Sequence, residues 1–269
     1  MPDAEAARAG FDLVQLGNVL TATARAAGAL ALSMHKTDVR QWIKGASSPV
    51  SDADLAANNL IRAQLAEAAP DFGWLSEESE DDEARLGKRF TWIVDPIDGT
   101  RAYLAGRDDW CVSIALVEDA TPLLAAVFAP VTDEFFFAAR GEGATRNGNE
   151  LRASDGDDLS SARMAGPKYL IERLLSTEAD ITPHPRIGSL ALRLCRVASG
   201  EVDVAFAGGH SHDWDLAAAD LIVQEAGGRL TGLAGDAVRY NLRDVTHDTL
   251  VAAGGRRHTE IIARMRLSA

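Results

Sequence analysis

The chemistry-bearing residues of this 269-residue chain gather at the ends of apolar runs, and the richest of these is Trp92-Ile93-Val94-Asp95-Pro96-Ile97-Asp98-Gly99-Thr100. An aromatic and β-branched run that stops in two carboxylates reads as a buried strand with a polar end. Pro96 has no N–H for a sheet ladder, so the strand is expected to finish there, and Gly99 permits a tight turn. Two carboxylates three residues apart repel each other unless a cation or a proton lies between them. Hard oxygen ligands of this kind suit Mg²⁺. Asp95 closing the strand and Asp98 capping the next helix is the competing reading. These nine residues alone leave both standing.

Further acids extend the pattern. Glu77 directly follows the apolar Trp74-Leu75-Ser76, so it is expected to face inward. The rest of the acidic run through Glu83 reads as a solvated loop. Asp215 opens a later helix. The order of an acid, then acid-x-x-acid, then an acid supplies oxygen ligands for two or three Mg²⁺ ions. Zn²⁺ is less suited, because no His or Cys cluster accompanies them. His210 and His212 beside Asp215 form a weak zinc pattern and read as polar packing or substrate contacts. Gly99 and Thr100 sit where a helix begins, so their backbone N–H groups suit a phosphate oxygen. The Thr100 hydroxyl is unreactive by itself. Beside a carboxylate such as Asp54 it could relay a proton from a metal-bound water, whose pKa the metal lowers. Asp54 carries a second reading, a capping box with Ser51.

Elements must position these groups. Apolar residues at helical spacing, among them Leu13, Leu16, Leu20, Ala24 and Ala27, predict a long amphipathic helix over 6–35. Lys44 to Val50 reads as a loop, and a second helix runs from Ser51 to about Ala68. A short strand at 74–76 precedes the strand from Arg89 to Asp95. Arg101 to Leu104 reads as a short helix or turn. Strand-like runs at 111–117, 123–129 and 134–139, followed by the type I′ turn signal Asn147-Gly148, predict an antiparallel meander. The polar stretch Ala153 to Ser161 is the candidate boundary between an N-terminal layer, 1–155, holding the metal site and a C-terminal layer, 156–269, completing the cleft. Beyond it strands near 162–165, 202–206, 230–233 and 250–253 alternate with helices near 169–175, 189–198, 214–226 and 258–265, an α/β pattern.

Composition narrows the function. Twenty-seven Lys and Arg against 40 Asp and Glu give a net charge of −13, which argues against a partner that is a nucleic-acid polymer. The two cysteines, Cys111 and Cys195, form no framework and fit a reducing cytosol. Met1 to Gly10 has no secretory pattern, and no run of about 18 apolar residues suggests a membrane span. The expectation is a soluble cytoplasmic protein.

Asp95-Pro96-Ile97-Asp98-Gly99-Thr100, with Trp214-Asp215-Leu216-Ala217-Ala218 and Glu225-Ala226-Gly227-Gly228 far downstream, resembles the inositol monophosphatase superfamily of Mg²⁺-dependent, lithium-sensitive phosphatases. Ser47 to Asp54, Leu75 to Ser79 and Gly188-Ser189-Leu190-Ala191 also match blocks of that family, so the resemblance covers nearly the whole chain. It implies the layered αβαβα sandwich shared with fructose-1,6-bisphosphatases, an α/β (α+β) fold, commonly as a homodimer. It implies one metal on Glu77, Asp95 and the Ile97 carbonyl, a second on Asp95, Asp98 and Asp215, and a weaker third at Glu77. Asp54 and Thr100 would orient the nucleophilic water. The 23-residue spacing from Asp54 to Glu77 fits the family and selects Asp54 over Asp52. Substrate contacts would come from Asp98, Gly99, Thr100, Gly188, Ser189 and Asp215, with Arg101, Arg107, His210 and His212 as unassigned candidates.

The implied activity is hydrolysis of a small phosphate monoester. Inositol monophosphatases usually carry an acid seven positions before the Trp-Asp aspartate, where this chain has Gly208. The blocks around Ser47, Leu75 and Phe128-Ala129-Pro130-Val131 resemble bacterial 3′(2′),5′-bisphosphate nucleotidases, whereas Arg101-Ala102-Tyr103 resembles histidinol-phosphate phosphatases. The order of preference is 3′-phosphoadenosine 5′-phosphate, inositol 1-phosphate, then histidinol phosphate. A non-catalytic phosphate-ligand sensor is the alternative from another class, and the intact Asp54–Thr100 pair speaks against it.

Overall fold

The computed structural model describes residues 12–45, 48–156, 159–175 and 181–267. The first described helix, α1 (Leu13–Met34), is capped by Asp12, whose Oδ1 accepts from the N–H groups of Val14 and Gln15 at 2.8 and 3.2 Å. Residues 6–11 of the expected helix lie outside the described residues. α1 packs beside α2 (Asp52–Ala68). Together Leu16, Leu20, Ala24, Ala57, Ile61 and Leu65 cover one face of a seven-stranded sheet. Gly28 lets the helix backbone ride close on Phe128, where a Cβ would collide with the ring.

That sheet runs β3 (Gly73–Ser76), β4 (Phe90–Asp98), β5 (Cys111–Glu118), β6 (Thr121–Ala129), β7 (Glu134–Ala139), β8 (Ala144–Arg146) and β9 (Asn149–Glu150) in spatial order. Only β3 and β4 pair in parallel, so the expected meander is present from β4 onward. Asn147 and Gly148 both take positive φ, 50° and 81°, as a type I′ turn requires. Side chains alternate across the sheet. Trp92, Val94 and Ile114 face α1 and α2, whereas Ile93, Ala115 and Val127 face the opposite helices.

Those opposite helices are α5 (Leu190–Ala198) and α6 (Asp213–Glu225), which form the central layer. The second sheet has the order β11-β10-β12-β16-β14, from β10 (Ala162–Ala165), β11 (Ile181–Pro183), β12 (Val204–Ala207), β14 (Gly228–Gly232) and β16 (Leu250–Gly254). Its outer face is closed by α4 (Lys168–Leu175) and α7 (Gly255–Leu267) through Leu170, Ile171, Ile261 and Met265. Helices, sheet, helices, sheet and helices therefore alternate in five layers, the expected αβαβα sandwich. Among the described residues no helix is long and apolar enough to cross a membrane.

Some local expectations are corrected. β4 does not end at Pro96. Pairing continues to Asp98 opposite Cys111, and an irregularity in the register between Asp95 and Asp98 absorbs the missing proline N–H. The stretch Lys44 to Val50 is not a plain loop: β1 (Gln41–Lys44) and β2 (Ser48–Ser51) form a hairpin, with Ala46 and Ser47 outside the described residues. The short pairs β13 (Ser211–His212) and β15 (Thr246–His247), and strand β11, were not foreseen.

Candidate active site

The bulge at Pro96 aims both carboxylates of β4 into one cleft. The Ile97 N–H donates to Asp95 Oδ1 at 3.0 Å, closing a tight turn within the bulge. Gly99 follows with φ 94°, a left-handed conformation that a side chain would strain, and a Cβ there would lie 3.1 Å from the Ser189 nitrogen. This turn starts the one-turn helix α3 (Thr100–Leu104). Ser113 on β5 donates to the Trp214 carbonyl at 3.3 Å and ties the first turn of α6 to the sheet. Asp95, Asp98 and Asp215 thus present carboxylate oxygens within 4.8 Å of one another, and among the described residues this is the one such cluster. The expected trio therefore meets in space, from residues 120 positions apart.

Glu77 extends β3, its N–H donating to the Val94 carbonyl at 3.2 Å, and its side chain lines the same cleft. It stands outside the tight trio. Lys44 of β1 reaches over it, donating to the Glu77 carbonyl and to Glu78 Oε1 at 2.9 Å. Sequence reading gave no signal for Lys44, because only the hairpin brings it there.

Each ligand oxygen has a fixed surrounding. Asp98 is held by the N-terminus of α5: its Oδ2 accepts from the Ser189 hydroxyl and the Ala191 N–H, both at 2.6 Å, and its Oδ1 from the Leu190 N–H at 3.2 Å. Ser189 also caps that helix, accepting from Leu192 N–H at 2.9 Å. Ser189 is wholly buried, with its hydroxyl committed to Asp98, whereas Gly188 lines the open cleft. Asp215 Oδ2 accepts from the His212 N–H at 2.7 Å, and the His212 ring stacks on Trp214 with centroids 4.6 Å apart. His210 is exposed, with φ 70°.

Asp54 serves two masters. Its Oδ2 accepts from the Ser51 N–H at 2.8 Å and the Ser51 hydroxyl at 2.6 Å, while Oδ1 faces the Thr100 hydroxyl at 3.4 Å. The cap takes one oxygen, and the contact with Thr100 that the site reading calls for takes the other. Thr100 also approaches the Ile97 carbonyl at 3.1 Å.

The electrostatics follow from burial. Burial, then the charge of Asp215, push the Glu77 carboxyl up to about 8. The same two causes bring Asp98 to about 7, against the pull of its three donors. Asp95 lies well above the carboxylate range through burial and then the charges of Glu77, Asp98 and Asp215. Asp54 rises to about 6, mainly by burial. An all-oxygen cluster in which buried Asp95 and Asp98, with Glu77 beside them, resist ionisation is short of positive charge, and a hard multivalent cation supplies it. The residues fit such an ion. The His212 Nδ1 comes to 3.7 Å of Asp215 Oδ2, but the cluster itself contains neither His nor Cys.

The cleft holds about 500 Å³, and its lining includes Arg101, Arg107 and Arg186. Arg107 is tethered to Asp109 and to the Arg186 carbonyl, whereas Arg186 is exposed at the rim. Arg186 is a lining residue that sequence reading missed, although it stands only two residues before the Gly188 block.

Layer order, bulged strand end and carboxylate trio together make a cleft suited to a metal ion. The sequence pattern of the inositol monophosphatase family matches residues 12–268. An inositol-1-monophosphatase of Rhizobium meliloti is 37% identical, covering 72% of this chain and 75% of that protein. A histidinol-phosphatase of Mycobacterium tuberculosis is 35% identical, over 85% and 88% respectively. The crystal structure of the extragenic suppressor protein suhB from Bartonella henselae superposes with a TM-score of 0.83 at 30% identity, covering 94% of this chain and 98% of that one. The chain belongs to the inositol monophosphatase family. Members of that family are phosphatases, which sets aside the ligand-sensor alternative.

Proposed function

We propose that this protein hydrolyses a small phosphate monoester with Mg²⁺, the phosphorus being attacked by water held between the carboxylate cluster and the Asp54–Thr100 pair. One observation carries the reading: the trio of buried Asp95 and Asp98 with half-buried Asp215 lies beside a Thr hydroxyl that is itself in contact with a buried carboxylate. Glu77, Asp95 and the Ile97 carbonyl would hold one ion, and Asp95, Asp98 and Asp215 a second, with a weaker third at Glu77. When bound, these ions lower the pKa of water and offset charge on the phosphoryl and leaving oxygens.

The chain's own groups do the rest. With its hydroxyl donating to Asp54 Oδ1, Thr100 Oγ1 can accept a hydrogen bond from water and fix its orientation; a proton passing from that water to Oγ1 would be matched by the Thr100 proton passing to Asp54. Burial of Asp54 keeps its basicity nearer neutrality than an exposed Asp. The N–H groups of Gly99 and Thr100 open α3 toward the cleft and suit the phosphate oxygens, beside Gly188.

For the substrate, an ester with a second anionic group is favoured, 3′-phosphoadenosine 5′-phosphate first. Gly208 supplies no carboxylate for sugar hydroxyls, and Arg101, Arg107 and Arg186 place positive charge along the wall that the leaving group would meet. Inositol 1-phosphate is the second reading, supported by the similarity to the Rhizobium enzyme. Histidinol phosphate is the third, supported by the Mycobacterium relative, although its amine would face the arginines. Rates on the three esters, measured side by side with Mg²⁺ and with added Li⁺, test the assignment. Phosphate release from none of them would overturn it. A cytoplasmic homodimer is part of the same proposal, and light scattering checks the assembly.

A further inference from the structure

Glu77, the Asp95/Asp98 pair and Asp215 are carried by three different elements, and none of the bonds described above joins all three carriers. One residue outside the cleft does. Asn241 lies in the segment between β14 and β15 with φ 55°, a left-handed conformation that Asn tolerates. Its Oδ1 accepts from Arg85 Nη1 at 2.7 Å. Its Nδ2 donates to Thr91 Oγ1 at 3.1 Å, and its backbone N–H donates to Asp213 Oδ2 at 2.7 Å.

Each of these partners leads to a different carboxylate. Arg85, whose side chain is 1% exposed, grips Asp81 bidentately at 2.6 and 2.8 Å and so pins the segment that follows Glu77. Thr91 lies on β4, four residues before Asp95, and is fully buried. Asp213 is the first residue of α6, two before Asp215, and its other oxygen accepts from His247 Nε2 at 2.7 Å. Arg85 donates also to the Leu242 carbonyl at 3.1 Å, so the junction is closed on the Asn241 side as well.

We propose that Asn241 is a positioning residue: its side chain ties the Glu77 segment to β4, its backbone N–H ties both to the start of α6, and together they keep the mutual register that Mg²⁺ needs. The proposal rests on reading the carboxylates as a Mg²⁺ site. Like charges crowded in a buried cluster push their carriers apart, so a tie that spans the carriers matters most for binding the ion. Partners beyond the ligands typically tune metal affinity by tenfold or more.

Asn241→Gly keeps the left-handed backbone and removes only the side-chain bonds. Mg²⁺ binding by calorimetry without substrate should weaken about tenfold, with kcat at saturating Mg²⁺ within about twofold of the parent. Asn147→Gly is the matched control. Asn147 also has positive φ, 50°, and bridges the Phe135 N–H and the Asp133 carbonyl at 2.8 Å each, away from the cleft. It should lose stability without changing Mg²⁺ affinity. An unchanged Mg²⁺ affinity in Asn241→Gly, or an equal change in Asn147→Gly, would overturn the proposal. Should Asn241→Gly fail to fold, Thr91→Val against Thr91→Ser decides the question, because only the serine keeps the hydroxyl. Weakened binding in the valine with the serine near the parent supports the tie, and parity of the two sinks it. A parent that binds Mg²⁺ but releases no phosphate overturns the phosphatase reading alone and leaves the calorimetric comparison intact. A parent that binds no Mg²⁺ overturns both.

Discussion

Thr100 and Asp54, 46 residues apart in sequence, meet across the cleft with the Thr100 hydroxyl 3.4 Å from Asp54 Oδ1. The other oxygen of the same carboxylate is consumed by Ser51, so Asp54 cannot turn away without uncapping α2. The helix cap is therefore what aims Asp54 Oδ1 at Thr100. A contact of 3.4 Å is long, as acid–base contacts often are before substrate arrives.

Removing either member should slow chemistry without abolishing metal binding. Thr100→Ala and Asp54→Asn are expected to lower kcat by about 100-fold or more, with Mg²⁺ affinity within a fewfold of the parent, while Thr100→Ser retains most activity. Steady-state kinetics paired with calorimetry checks this. A Thr100→Ala protein at full rate would remove the hydroxyl from the mechanism.

The metal carboxylates predict a split between stability and function. Asp95→Asn removes a carboxyl whose ionisation is opposed by burial and by the charges of Glu77, Asp98 and Asp215. The metal-free variant is expected to melt at a higher temperature than the metal-free parent, yet to lose the further rise that Mg²⁺ gives the parent. Melting curves with and without Mg²⁺ separate the two effects. A variant destabilised without metal would mean that Asp95 is satisfied in some other way.

Much of this site was legible because the ligands sit at the ends of apolar runs. Asp95, Asp98 and Glu77 follow strand patterns, and Asp215 follows Trp214 at a helix start, so types and positions could be read locally. The choice between cap and site for Asp54 could not be made from sequence, because one carboxylate caps α2 with one oxygen and meets Thr100 with the other. The strand end at Pro96 was misjudged because a bulge lets pairing resume at Asp98, a property of the register and not of the proline. β11, β13 and β15 hold two or three residues each, too few to show a period. Lys44, Arg186 and Asn241 act across long sequence separations, and nothing in their immediate neighbours announces the contact.

Ser189 links helix capping to metal binding. Its hydroxyl donates to Asp98 at 2.6 Å and accepts from Leu192 N–H at 2.9 Å. Ser189→Ala should cost about 1 kcal/mol of stability through the lost cap and weaken Mg²⁺ binding about tenfold through the loosened Asp98. Denaturant melts and Mg²⁺ titration measure the two losses independently. If stability falls while Mg²⁺ affinity holds, the backbone donors of Leu190 and Ala191 alone suffice to fix Asp98.

Stability without metal should depend on pH in the direction the carboxyls dictate. Glu77 and Asp98 titrate at about 8 and about 7 in the fold, against ordinary values of 4.5 and 3.8, and Asp54 at about 6. Their folded values are raised, so between pH 4 and 8 the native state binds more protons than the unfolded chain, and stability falls as pH rises. Asp81, Glu134 and Asp203 are shifted downward by their arginine partners and act the other way, but only at acid pH, where they begin to protonate. Without metal the protein is therefore expected to be more stable near pH 5 than at pH 8, with the melting temperature lower by at least about 5 °C at pH 8. Mg²⁺ at 100 times its dissociation constant adds about 2.7 kcal/mol and should largely remove that loss, because it binds the ionised cluster. A metal-free protein more stable at pH 8 than at pH 5.5 would mean that the carboxylates are not crowded as described.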